Sequence, residues 1–232
     1  MTFSYKYYEK QRIFIYRVKT MNGVSPNIQG NICSIALSKA SIRKSASVGD
    51  IIIGLQSLKL ESNQSGYVTP LPSPSDRETK LVHPYIDPTA IDKVLFIMQV
   101  TKKLPMNMYY DWCAKSCPQK IPTETNSIGD CQYDSKLIQS LYGPHYNKHK
   151  VTDLSGKYVL LSENNYHINP SGYHLSSMLR YMWSVDTLTD KDYNIYDIDT
   201  IMYDEFIKWI TKLHMDYTEP IYIPIMRLLQ VK

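Results

Sequence analysis

An α+β fold, built on a strongly bent mixed sheet with peripheral helices, is predicted by three features of the sequence. Asp50 to Leu55 and Lys93 to Lys102 are short apolar runs of buried-strand length, set on either side of a long polar excursion. Arg12 to Lys19 alternates as a strand does. Asp199 to Tyr217 instead places Met202, Phe206, Trp209, Ile210, Leu213 and Tyr217 on one helical face. Strands at the start and middle with the best helix at the end imply segregated elements, not a regular strand–helix alternation.

In chain order, RIFIYRVK at Arg12 to Lys19 puts Phe14, Tyr16 and Val18 on one face and Ile13, Ile15 and Arg17 on the other. Asn22-Gly23 is a turn dipeptide, since both residues tolerate positive φ. Ile32 to Leu37 reads equally as a short strand or a helix start. Ser38 to Ala46 suits one or two helical turns capped by Ser38 or Ser41, with Ile42 inward and Lys39, Arg43 and Lys44 outward. A Gly49-Asp50 turn then launches the strand Ile51-Ile52-Ile53. Residues Asn22 to Leu55 thus describe a half-barrel or sheet edge with a polar seam.

Gln56 to Asp92 holds Pro70, Pro72, Pro74, Pro84 and Pro88 with many serines, and reads as a proline-rich insertion loop between two paired strands. Asn107 to Ala114 is expected to be helical and stopped by Pro118. Ile128-Gly129-Asp130 is a second Gly-Asp turn. Lys157 to Ser162 reads as a strand set off by a turn at Asp153 to Gly156, and Tyr166 to Tyr173 as an aromatic loop. A single domain over residues 1–232, with a C-terminal helical extension from 174 to 232, completes the expected organisation.

Composition bounds the function. The chain has 232 residues, a formal net charge of +4 and 43% apolar content, which permits a polyanionic partner without the charge density of a non-specific nucleic-acid binder. Twenty tyrosines supply flat faces with polar tips, suited to stacking or to wet interfaces. No run approaches the about 18 apolar residues of a membrane span, and Met1 to Lys10 lacks the pattern of a signal peptide, so an intracellular, soluble protein is expected, cytoplasmic or, in a eukaryote, nuclear. Neither GxGxxG nor GxxxxGK[ST] occurs, which argues against Rossmann dinucleotide binding and ordinary nucleotide hydrolysis. No cofactor is called for. Cys113, Cys117 and Cys131 with His145 and His149 lack the spacing of a zinc ribbon or finger, so no metal is expected and the four cysteines read as reduced thiols. Lys39, Arg43 and Lys44 form a small cationic face, with Arg17, Lys19, Lys102 and Lys103 at the ends of strands.

Several blocks resemble the nucleotide-modification-associated domain family of the second type, found in bacteria, phages and large viruses. They are YRVKTMNGVSPN at Tyr16 to Asn27, CSIALSKASIRKSASVGDIIIGLQS at Cys33 to Ser57, VLFIMQVTKKL, the Ile128-Gly129-Asp130 turn, Gly143 to Asn147, and DLSGKYVLLS at Asp153 to Ser162. The resemblance implies a role in making, reading or tolerating modified nucleotides, with DNA as partner, and carries no catalytic residue. A strand opened by a Gly-Asp turn and answered by VLFIMQV also looks like the small twisted barrels of the PUA-like superfamily, which bind an extruded base. On that basis a binding module is expected, with a base held between the Asn22 to Asn31 loop and the His145 loop. Tyr16, Asn27, Tyr146 and Tyr166 would stack and contact the base edge, and Lys39 and Arg43 would hold phosphate. The alternatives are an enzyme on a nucleotide or DNA base, of glycosidase or transferase type, with His145 or Asp130 as acid or base and Cys33 nearby, and an interaction protein using its tyrosine-rich surface.

Overall fold

The computed structural model describes residues 11–18, 25–57, 93–142, 149–163, 166–189, 193–198 and 200–216. Among them two sheets stack. The first has the order β8-β5-β4-β1-β9 and the second β2-β3-β7-β6. In chain order the strands are β1 (Arg12–Val18), β2 (Asn27–Gln29), β3 (Ile32–Ile35), β4 (Ile51–Gln56), β5 (Val94–Gln99), β6 (Lys102–Pro105), β7 (Tyr158–Glu163), β8 (Tyr166–Tyr173) and β9 (Tyr193–Asp197). The helices are α1 (Ala40–Ser45), α2 (Met106–Ser116), α3 (Lys150–Ser155), α4 (Ser177–Met182) and α5 (Thr200–Asp216). The fold is mixed α+β, as the sequence predicts, but the described strands form two sheets and do not close into a barrel. Bending is achieved by stepping from one sheet to the other: β5 ends at Gln99, and the chain re-enters the second sheet at Lys102.

Burial on both faces explains why β1, β4 and β5 read as near-continuous apolar runs. Ile13, Ile15, Ile51, Ile53 and Leu55 pack under α4 and α5, against Leu179, Trp183, Phe206 and Ile210. On the opposite face Phe14, Tyr16, Ile52, Phe96 and Met98 meet Cys33, Ile35 and Leu160 of the second sheet and Ile42 of α1. The outer face of the second sheet is covered by α2 and by the segment after it, through Met106, Tyr109, Cys113, Cys131 and Tyr133. The layers therefore run helices, five-stranded sheet, four-stranded sheet, α2.

The parallel neighbours β1 and β4 are joined by a crossover that contains β2, β3 and α1, as a parallel pair requires. The predicted pairing of β4 with β5 is present and antiparallel. The Gly49-Asp50 turn is fixed by the Asp50 carboxylate, which accepts from the backbone N–H of Arg12 (3.0 Å) and of Ser47 (2.8 Å) and from the Arg12 guanidinium (2.7 Å). In the middle of the sheet Gly54 lies between Tyr16 on β1 and Phe96 on β5. A Cβ on Gly54 would fall 2.1 Å from the Phe96 ring. Its absence lets Tyr16 and Phe96 meet edge to face across the middle strand, with ring centres 5.8 Å apart.

One open reading is settled and several others are corrected. Ile32 to Ile35 resolves as a strand because it is flanked on both sides by partners, β2 and β7. The helix at 40–45 is capped by Lys39 in the left-handed region (φ 42°) with no serine side-chain cap, and Arg43 points inward and is buried. Asp153 to Gly156 is the end of α3, not a free turn. Tyr166 to Tyr173 is a strand, paired with β5, and the C-terminal region adds β9 beside β1 as well as helices. Most of the proline-rich insertion, at 58–92, lies outside the described residues, as do 143–148.

Gly54→Ala is expected to destabilise the protein by about 1–3 kcal/mol through overpacking. A lower denaturant midpoint with unchanged m would report it, and adding Phe96→Leu should recover part of the loss.

Candidate functional site

Strand β3 divides two polar groups by simple alternation. Cys33 faces the seam between the sheets, and Ser34 faces outward under α2.

Ser34 belongs to a buried cluster around Lys120, a residue without exposed surface in the 3-10 turn Pro118–Lys120. The ammonium donates to Asn27 Oδ1 (2.7 Å), Ser34 Oγ (2.6 Å) and the Asn27 carbonyl (3.3 Å), which uses its three protons. Ser34 Oγ in turn donates a hydrogen bond to Asp130 Oδ2 (2.6 Å), and Tyr109 OH donates to Asp130 Oδ1 (2.9 Å). Asn27 Nδ2 in turn donates to the Ile128 carbonyl (3.0 Å). Lys120 and Asp130 stand 4.0 Å apart, so the ion pair is bridged by a hydroxyl. The Gly129 backbone lies against that of Lys120, where a Cβ would meet the Lys120 carbonyl at 2.4 Å. This close approach is what the Gly-Asp turn provides. A buried charge pair holds together only when its remaining donors and acceptors are satisfied, and here they are. The cluster acts as a clamp joining the β2–β3 hairpin, α2 and the 118–131 segment.

A second clamp sets the position of Lys39. The Arg43 guanidinium donates to the carbonyls of Ser38 (2.8 Å), Tyr158 (2.9 Å) and Asp153 (2.5 Å). The Asp153 carboxylate accepts from the Ser38 backbone N–H (3.0 Å) and from Tyr133 OH (3.0 Å). Ser38 (φ 53°) and Lys39 (φ 42°) are thereby held as two successive left-handed residues, neither of them glycine. Such conformations cost on the order of 1–3 kcal/mol each and persist only where surroundings over-determine them. The result is that the Lys39 ammonium sits 4.3 Å from the centre of the Tyr16 ring and donates to the Arg17 carbonyl (3.3 Å). Burial lowers the Arg43 pKa to about 10, partly offset by Asp153 and Tyr133.

The seam itself holds Tyr16, Cys33 and Ser162. Cys33 and Ser162 are register partners on β3 and β7, so their side chains share one face. The Cys33 thiol lies 3.8 Å from Met98 Sδ, and burial pushes it up to about 12, opposed by Lys120 and reinforced by Asp130. Burial, with Cys33 as a nearby second cause, also raises the Tyr16 phenol. At neutral pH both groups are uncharged. The Tyr16 hydroxyl and Ser162 Oγ are buried with no hydrogen-bond partner among the described residues. That is costly, since an unmet buried hydroxyl forfeits about 1–3 kcal/mol. Both side chains are fully buried between the packed sheets, Tyr16 toward the C-terminal end of β1 and Ser162 toward the C-terminal end of β7.

Of the residues expected from sequence, Lys39 covers the Tyr16 ring, and Tyr16 and Cys33 share one buried cluster between the sheets. Asn27 and Asp130 are in the Lys120 clamp, and Arg43 supports Lys39 from behind. Tyr166 is opposite Met98 in register on β8, and its side chain lies outside the described residues, as do His145 and Tyr146. Sequence reasoning missed Lys120, Ser34, Tyr109 and Ser162. A lysine between Pro118 and Pro122 carries no periodic signal, and two serines in apolar strands read as ordinary spacing. Among the described residues no helix is long and apolar enough to cross a membrane.

The family model described as nucleotide modification associated domain 2 matches residues 10–226. Comparisons with curated proteins and with solved structures find no match.

Lys120→Met leaves Asp130 as a lone buried charge and is expected to cost about 3–5 kcal/mol. Adding Asp130→Asn removes that charge and should restore part of the stability in equilibrium unfolding. A double variant no more stable than the single one would contradict the clamp.

Proposed function

Because the chain belongs to the nucleotide modification associated domain 2 family, matched over residues 10–226, we propose that it is a nucleic-acid or nucleotide binding module that recognises a modified DNA base beside Tyr16 and Lys39. The family description associates the chain with nucleotide modification. The observation that carries the finer reading is the buried Tyr16 hydroxyl, left without a partner among the described residues, on a ring that the Lys39 cation covers. Polar groups poised without partners are what a site for a base edge needs, since the ligand supplies the missing hydrogen bonds on entry.

Lys39 is the phosphate-facing residue of this reading. Its ammonium is fixed over the Tyr16 ring by strained backbone, and strain of that kind concentrates at functional sites. Arg43, placed by sequence among the phosphate ligands, takes a positioning role instead, because its guanidinium is engaged with backbone carbonyls. Tyr166 and Tyr146 remain proposed stacking partners. Binding is preferred over an enzymatic role for Cys33 because a thiol raised to about 12 is not a thiolate at neutral pH.

Titration of duplex and single-stranded DNA oligonucleotides, carrying plain or modified bases, at two salt concentrations checks this. The expected result is preference for a modified base with a small salt slope, and in Lys39→Gln a uniform weakening with the slope reduced by about one. Steep binding blind to the base, or no binding, would remove the proposal.

A further inference from the structure

The cations gathered around α1 narrow the partner, on the premise of the base-binding reading above. We infer that one strand of DNA lays its backbone across α1, with phosphates held by Lys39 at one end of the helix and by Arg12, Lys44 and Lys103 at the other. The ligand is then a strand of several nucleotides and not a single nucleotide.

Charge leads there first. Between Glu9 and Asp50 the chain holds no acidic residue, and this stretch supplies β1, the β2–β3 hairpin and α1. Stacking of the two sheets then brings Lys103 of β6 to the C-terminal end of α1. Its ammonium donates to the carbonyls of Lys44 (2.8 Å) and Ala46 (2.6 Å) and lies 4.5 Å from the centre of the Tyr158 ring. Arg12 of β1 reaches the same helix end and donates to the Ser45 carbonyl (2.8 Å). Lys44 is exposed, and its side chain makes no bond to a described residue. The carboxylate paired with this group is that of Asp50, which is buried and already accepts from the Arg12 and Ser47 backbone and from the Arg12 guanidinium. A helix C-terminus is equivalent to about half a negative charge and is answered by one cation. Three cations against that end and one carboxylate leave a positive excess. Burial, and after it the Arg12 charge, lowers the Lys103 pKa, opposed by Asp50. Lys103 spends two of its three protons on the helix carbonyls, so one is left for an anion.

Spacing agrees. The six residues of α1, at about 1.5 Å each, put its two ends about 9 Å apart. A DNA strand carries one phosphate for about every 3.4 Å of duplex axis, so about two to three consecutive phosphates reach from the Lys39 end to the Lys103 end. Arg43 lies beneath the helix with its guanidinium on backbone carbonyls, and so fixes α1 while the charges at its ends face the strand. So few phosphate contacts keep the salt dependence shallow, as a base-reading module requires. A mononucleotide placed beside Tyr16 reaches the Lys39 end alone.

Fluorescence anisotropy of the full chain tests this with end-labelled single-stranded DNA of two, four and eight nucleotides, carrying plain or modified bases, at about 50 and 200 mM salt. The matching 5′-monophosphates and an oligoglutamate serve as unlabelled competitors. The expected result is that the tetranucleotide binds about tenfold tighter than the dinucleotide or the monophosphate, and that oligoglutamate competes poorly. Lys44→Gln should weaken the tetranucleotide alike for every base, reduce its salt slope by about 0.7, and leave the monophosphate unchanged. Lys44→Gln with Lys103→Gln, checked for folding by circular dichroism, should roughly double that loss of slope. Lys212→Gln makes the same change of charge on α5, across the five-stranded sheet, and should alter nothing. A monophosphate as tight as the tetranucleotide, a slope unmoved by Lys44→Gln or moved equally by Lys212→Gln, or oligoglutamate competing as well as DNA would overturn the inference. If base preference persists while the slope ignores Lys44→Gln, the inference fails and the base-reading module stands. If Lys44 and Lys103 set the slope but plain and modified bases bind alike, the inference stands and the base reading fails. If no oligonucleotide binds, both fail.

Discussion

The five-stranded sheet is buried on both faces, Ile13 and Ile15 beneath the C-terminal helices and Phe14 and Tyr16 against the second sheet. A strand in that position has no solvent side on which to place a polar group, so a polar side chain there must be matched or must forgo its hydrogen bonds. The sheet meets this in two ways. Arg17, on the helix side of β1, donates to the carbonyls of Leu188 (2.8 Å), Val185 (3.1 Å) and Gln56 (2.9 Å), and so ties the C-terminal layer to the first strand. Tyr16, on the other side, packs its ring against Phe96 over Gly54 and leaves its hydroxyl in the seam. The base-reading proposal follows from that second arrangement.

The two clamps supply the rigidity that such an arrangement needs. Lys120, Asp130 and Tyr109 bind the hairpin of β2 and β3 to α2 on one side of the second sheet, and Arg43 with Asp153 binds α1 to α3 and β7. Both use the cation to gather neutral oxygens and the carboxylate to gather N–H and O–H groups. The effect on the seam is indirect. With the hairpin and the 38–39 turn both held, Cys33 and Lys39 approach Tyr16 from fixed directions, which reduces the ordering cost a ligand would meet.

Much of this fold was legible in the sequence because its strands announce themselves. Double burial turns β1, β4 and β5 into unbroken apolar runs, and the Asp50 turn marks where β4 begins. The helical period of Met202, Phe206 and Trp209 fixes α5. What escaped were elements whose identity depends on a distant partner. Residues 166–173 carry proline and glycine and acquire strand structure from pairing with β5. Residues 193–197 show little apolar pattern because they form an edge. Candidate site residues divided along the same line. Tyr16 and Lys39 were found through aromatic and charge patterns, and Ser162 and Lys120 were not, since a lone serine or lysine declares itself only through what it touches. Arg43 shows the opposite failure: a basic residue on a short helix reads as solvated until Asp153, 110 positions on, is seen to share its carbonyl.

Paired measurement of stability and binding in Tyr16→Phe addresses the claim that the seam hydroxyl is held for a ligand. Removing an oxygen that has no partner should raise the unfolding free energy by about 1 kcal/mol, while affinity for the preferred modified base falls roughly tenfold, because the ligand loses the bond it would complete. A Tyr16→Phe protein that is less stable, or that binds as tightly as the parent, would show that the hydroxyl serves the fold and contradict the account.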